Sequence, residues 1–93
     1  SRVLSFNSDE TLLLLRGTEG SWYLYDAISL KPIRIIPLGG VDPRWDSIKP
    51  NIIYYFTATS LFSYNILDET QTLVHYFSND FPGSNFSMVW MRW

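Results

Sequence analysis

Two stretches, Thr11-Leu12-Leu13-Leu14-Leu15-Arg16 and Ile52-Ile53-Tyr54-Tyr55-Phe56-Thr57, are apolar at every position between their polar ends. Successive residues of a strand point to opposite faces, so strands of this composition are greasy on both sides. A sheet built around them meets water on neither face and has to be stacked between like sheets. A helix across Leu12–Leu15 is the alternative, but Gly17 and Gly20 follow too soon and β-rich segments flank it.

Working outward, the same grammar appears twice, with Val3–Leu38 lying over Asp42–Phe77 at a period of about 40 residues. In the first copy, Val3–Phe6 is a short strand and Asn7–Glu10 a polar turn. Thr11–Arg16 is the second strand, and Gly17-Thr18-Glu19-Gly20 is a hairpin whose glycines suit positive φ. Trp22–Tyr25 is the third strand, closed by Asp26. Pro32–Pro37 is the fourth, and prolines at both of its ends suit an edge. In the second copy the strands are Pro43–Trp45, Ile52–Thr57, Leu61–Tyr64 (closed by Asn65 where the first copy has Asp26) and Gln71–Phe77. Ser78–Asn85 reads as a loop, and Ser87–Trp93 as the first strand of a third copy. The expected organisation is residues 1–40, 41–80 and 81–93.

Composition agrees. In 93 residues, 46% hydrophobic and 17% aromatic content is ample for a core. Large rings favour strands, and Ala27 and Ala58 are the only alanines. All-β is therefore the expected class. A net charge of -2 with scattered Arg and Lys argues against nucleic acid. Without cysteine there is no disulfide framework or thiolate metal site, and no apolar run approaches the roughly 20 residues of a membrane helix. Starting at Ser1 and stopping inside an apparent strand, the chain reads as cut from something longer.

Phe6-Asn7-Ser8-Asp9-Glu10 followed by Leu12-Leu13-Leu14 resembles the opening of β-propeller blades of the WD40-like and TolB-like kind. Leu24-Tyr25-Asp26 and Ser63-Tyr64-Asn65 sit where such blades close their third strand with an aromatic–Asp pair. The Gly-His pair of strict WD40 blades is missing, which favours the looser TolB-like or quinoprotein-like propellers. The resemblance implies two consecutive four-stranded antiparallel blades of a partial propeller, completed by further blades of the parent protein or by self-assembly into a closed ring; a β-sandwich whose two halves pack on each other is the alternative fold. It also implies a non-catalytic platform binding a protein, peptide or glycan, commonly in an extracytoplasmic setting. The alternative is the propeller portion of a secreted polysaccharide lyase or peptidase, with its chemistry largely outside this chain.

Asp42, Arg44 and Asp46 flank Trp45 at the entrance to the second copy. Residues at i, i+2 and i+4 share a strand face, so these charges are the candidate binding cluster; an ion pair tying the two blades is the structural alternative. Asp26 and Asn65 read as turn residues bonded to backbone N–H groups two positions on, and Asp9-Glu10 and Asp68-Glu69 as solvated turn residues rather than carboxylate pairs for acid–base work. His75 stands without another His or Cys or a nearby carboxylate in sequence, which suits an exposed strand histidine rather than a metal ligand or base. Trp22, Trp45, Trp90 and Trp93 suit inter-blade packing, with ligand stacking as the alternative. Asn85-Phe86-Ser87 matches a glycosylation acceptor. No cofactor or metal motif and no nucleophile elbow is present.

Overall fold

The computed structural model describes residues 4–38 and 41–80, and within 41–80 it leaves out the side chains of Val41 and Asp42. The expected third-copy strand Ser87–Trp93, Trp90, Trp93 and the Asn85 triplet lie outside the described residues.

Eight strands alternate with short turns. They are β1 (Leu4–Phe6), β2 (Leu12–Arg16), β3 (Trp22–Asp26), β4 (Pro32–Ile36), β5 (Val41–Trp45), β6 (Ile52–Phe56), β7 (Ser60–Asn65) and β8 (Thr70–Tyr76). They form two four-stranded antiparallel sheets, each a simple meander, in the orders β1-β2-β3-β4 and β5-β6-β7-β8. The chain is all-β, and its strands fall within one or two residues of the sequence reading. Beyond β8 the chain turns once as a 3-10 helix over Phe77–Asn79, where a strand end and a loop were expected.

The twofold pattern extends to the pairing of the two inner strands of each sheet. Leu12 faces Asp26 across β2–β3, and Ile52 faces Asn65 across β6–β7. The turns after β3 and β7 match too. The Asp26 carboxylate accepts the N–H groups of Ile28 and Ser29, both at 2.9 Å, and the Asn65 side-chain oxygen accepts that of Leu67 at 2.9 Å. Both turns then place a non-glycine residue in the left-handed region, Leu30 at φ 59° and Glu69 at φ 59°; Glu10 does the same at φ 60° in the turn before β2.

In the hairpin after β2, only Gly20 has positive φ, at 95°. Gly17 is demanded by space instead: a Cβ there would meet the Glu19 carboxylate and come within 2.6 Å of the Tyr23 ring.

The two sheets stack face to face on a single core. Leu14, Trp22, Leu24 and Ile36 come from the first sheet, and Ile53, Tyr55 and Tyr64 from the second, joined by Ile66 of the following turn. Leu24 and Ile53 are fully buried, and full burial of one such side chain is worth roughly 1.5–3 kcal/mol. Trp45, Phe62, Leu12 and Leu38 pack around this set. Tyr55 and Phe62 stack at 5.6 Å.

Polar ties surround the apolar contact. Asn7, 3% exposed, is the most deeply buried. Its side-chain oxygen accepts the N–H groups of Thr11 and Leu12, both at 2.9 Å, closing its own turn. Its amide donates to Thr11 Oγ1 at 3.1 Å and to the Pro50 carbonyl of the second sheet at 3.0 Å. The Ser8 hydroxyl donates to the Ile48 carbonyl at 3.1 Å. Near the outer edge, Arg34 of β4 donates to the Ile66 carbonyl and lies 3.7 Å from the Glu69 carboxylate.

Each sheet has a second face turned away from this contact. Leu4, Phe6, Ile33 and Ile35 of the first sheet are 44–59% exposed there, beside half-buried Leu15, Tyr23 and Tyr25. On that face Leu13 of β2 is nonetheless buried at 5% exposure, and in the second sheet Ile52, Tyr54 and Phe56 of β6 are half-buried.

Two outcomes follow for stability in urea. Asn7→Ala strands the Leu12 N–H and the Pro50 carbonyl, and is expected to lower unfolding free energy by about 2 kcal/mol. Leu30→Gly relieves a left-handed leucine whose side chain is 62% exposed, and is expected to raise the urea midpoint by an amount equivalent to about 0.5 kcal/mol.

Candidate functional site

The first strands of the two sheets lie side by side. The Trp45 indole N–H of β5 donates to the Ser5 carbonyl of β1 at 3.3 Å, which ties the sheets together at this edge. Where the strands meet, an open cleft of about 160 Å³ is lined by Ser5, Phe6, Pro43, Arg44 and Trp45. Pro43 is buried, Arg44 and Trp45 are half-buried, and Phe6 is 49% exposed. The cleft thus combines three apolar rings, a guanidinium and strand backbone.

Of the four candidate residues, Arg44 and Trp45 line this cleft. Asp42 belongs to β5, and its side chain lies outside the described residues. Asp46 does not continue the alternation assumed for i, i+2 and i+4. The pairing of β5 with β6 shifts register between Val41 and Arg44, and the strand ends at Trp45. Asp46 instead closes the next turn: one oxygen accepts the N–H groups of Ile48 and Lys49, both at 2.8 Å, and the other accepts the Tyr54 hydroxyl at 2.8 Å. These bonds, led by the Lys49 and Ile48 N–H groups, hold its pKa below the ordinary 3.8, while the same contact raises that of Tyr54.

The other carboxylates are similarly occupied. Asp9 accepts the Thr11 hydroxyl at 2.6 Å and the Thr11 N–H at 3.2 Å, and Asp68 accepts the corresponding pair from Thr70 at 2.6 and 3.2 Å. The pKa of Asp9 is lowered chiefly by the Thr11 hydroxyl, and that of Asp26 by the Ser29 and Ile28 N–H groups. Glu19 accepts the Tyr23 hydroxyl, which lowers its pKa and raises that of Tyr23. Asp9-Glu10 and Asp68-Glu69 therefore behave as turn residues.

His75 has a partner that sequence reasoning missed. Its Nε2 lies 2.8 Å from Asp80 Oδ2 and 3.0 Å from Oδ1, because the turn at Phe77–Asn79 brings the carboxylate back onto β8. Phe77 packs edge-on against the imidazole at 4.8 Å. This pair sits on the strand at the opposite edge of the second sheet from the cleft. Among the tryptophans, Trp22 is core, with Arg16 over its ring at 5.9 Å. Among the described residues, no three His, Cys, Asp or Glu side chains gather as a metal site, and no helix is long and apolar enough to cross a membrane.

Comparison with family models, curated proteins and solved structures returned no match for this chain.

The lowered carboxylates set an expected acid response. A group whose folded pKa lies below its unfolded value contributes stability at higher pH and loses it as pH falls through the folded value. The midpoint in urea should therefore hold at about pH 6 and drop below about pH 4. Asp26→Asn keeps the turn acceptor but cannot titrate, so its drop, measured between about pH 6 and about pH 3, should be smaller than that of the unmodified chain.

Proposed function

We propose that the chain is a pair of consecutive β-propeller blades of the WD40-like or TolB-like kind and serves as a non-catalytic platform that binds a protein, peptide or glycan. The observation that carries this is the cleft at the junction of β1 and β5. In a ring of blades the first strands line the central opening, so a groove between neighbouring first strands is open to a ligand approaching along that axis.

Two further points support the reading. Successive meanders stack face to face with their first strands adjacent, as blades do. The carboxylates of Asp9, Asp26, Asp46 and Asp68 are bonded to turn N–H groups, which gives them a structural task. Phe6, Pro43 and Trp45 offer apolar rings, and Arg44 offers a planar donor suited to carboxylate or carbonyl groups. Closure of the ring falls to further blades or to other copies, because a propeller needs about four to eight.

The test is a nuclear magnetic resonance titration with a panel of oligosaccharides and short peptides. Binding should shift signals of Ser5, Phe6, Arg44 and Trp45 together, and Arg44→Ala should weaken it about tenfold. Shifts confined to other surfaces, or ligand turnover abolished by His75→Ala, would overturn the platform reading in favour of a catalytic one.

A further inference from the structure

The turns β1–β2 and β3–β4 cap the end of the first sheet where Phe6 pairs with Leu13 and Leu12 with Asp26. The turns β5–β6 and β7–β8 cap the end of the second, where Trp45 pairs with Ile53 and Ile52 with Asn65. These are one end of the molecule, because Asn7 donates to the Pro50 carbonyl, Ser8 to that of Ile48 and Arg34 to that of Ile66. The chain enters β1 and β5 and leaves β4 and β8 at the opposite end. None of the four turns therefore adjoins a segment outside the described residues.

Three of these turns are built alike. Through a side-chain oxygen, Asp26, Asp46 and Asn65 each accept the N–H of the residue two positions on, at 2.9, 2.8 and 2.9 Å. That residue is Ile28, Ile48 or Leu67, and it is 84%, 82% or 75% exposed. Leu30 adds a fourth aliphatic at 62%, in a left-handed conformation that disfavours leucine. Turn positions ordinarily carry Gly, Pro, Asn, Asp or Ser, so neither turn chemistry nor the core accounts for these four side chains. One exposed aliphatic needs no explanation, whereas several gathered at one end mark a contact surface.

The charges at this end define the partner. Asp9, Glu10, Asp26, Asp46, Asp68 and Glu69, six of the chain's nine carboxylates, stand in these turns, against Lys31 and Lys49 of its seven basic residues. Arg34 of β4 lies 3.7 Å from Glu69 and already answers that carboxylate. Aliphatic tips among acidic groups repel anionic lipid headgroups and a second copy of the same end, and attract cations. We propose that this end docks a segment of another protein whose apolar side chains are interleaved with lysine or arginine, as on the face of a basic amphipathic helix. Ile28, Leu30, Ile48 and Leu67 are the apolar contacts, and the turn carboxylates meet the partner's cations at the rim. The surface shares no residue with the cleft of Ser5, Phe6, Pro43, Arg44 and Trp45, so it stands or falls apart from the platform reading.

The probe is a fluorescent peptide of about 15 residues in which leucine and lysine alternate at helical spacing, with its leucine–glutamate counterpart as control. Anisotropy should show binding of the first and not of the second. In nuclear magnetic resonance spectra the N–H signals of Ile28, Leu30, Ile48 and Leu67 should shift together. Ile28→Ser, Ile48→Ser and Leu67→Ser combined should weaken binding about tenfold. Should that variant not fold, Ile28→Ser alone, at the most exposed of the four, should weaken it about twofold. Asp26→Asn with Asp68→Asn keeps both turn acceptors and removes two charges, and should cost about threefold in affinity and flatten its dependence on salt. Equal binding of the two peptides, an unchanged affinity of the serine variant, or shifts confined to other surfaces would overturn the proposal. So would cosedimentation with phosphatidylcholine vesicles, or self-association in light scattering, that the serine variant abolishes; these outcomes assign the surface to lipid or to a second copy instead.

Discussion

Burial of one amide, that of Asn7, organises the contact between the two sheets. Its oxygen holds the turn that feeds β2 and its nitrogen reaches a carbonyl in the turn that feeds β6. Apolar contact alone is non-directional; Leu14 and Leu24 would gain almost as much against Ile53 and Tyr55 after a sideways slip. The Asn7 bonds and the Trp45–Ser5 bond penalise such a slip, because each would leave a buried polar group without a partner. Arg34 performs the same task at the outer edge, and its interior Nε has no hydrogen-bond partner of its own among the described residues, which leaves that corner held by charge more than by geometry.

The adjacency of β1 and β5 follows from this anchoring. Once the turns after these strands are joined through Pro50 and Ile48, the strands themselves are brought together, and the cleft is the space left between their side chains. Its lining therefore inherits rigidity from the core: Trp45 packs on the buried cluster, Pro43 is fixed by burial, and Arg44 stands opposite Tyr54, whose hydroxyl is held by Asp46. Asp46 serves the cleft from behind, by positioning.

Much of this was legible from sequence because it depends on local pattern. Unbroken apolar runs, the glycines and prolines between them and the punctuation by Asp26 and Asn65 are all encoded in neighbouring residues, and strand positions and turn caps followed. What escaped was non-local. Asn7 looked like any turn residue, since its buried status depends on Pro50, 43 positions away. Asp46, its counterpart after β5, reads from sequence both as the first residue of the polar turn Asp46–Asn51 and as a charge on one face with Asp42 and Arg44, because the register shift before Arg44 leaves no mark in composition. The pairing of His75 with Asp80 needed a single 3-10 turn that no capping residue announces. The repeat itself held the missing signal: the first residue after each inner strand, Asn7 or Asp46, closes the next turn in both copies.

The fourth strands differ in a way that bears on lateral growth. β4 begins at a proline, is followed by another and pairs with a bulge, so it offers few free N–H groups in line. β8 runs for seven residues, Thr70–Tyr76, exposed throughout and without lysine or proline. Unprotected edges of this kind are templates for an added strand. Sheet extension is thereby polarised among the described residues: the first sheet is terminated by its own backbone chemistry, and the second keeps an open seam.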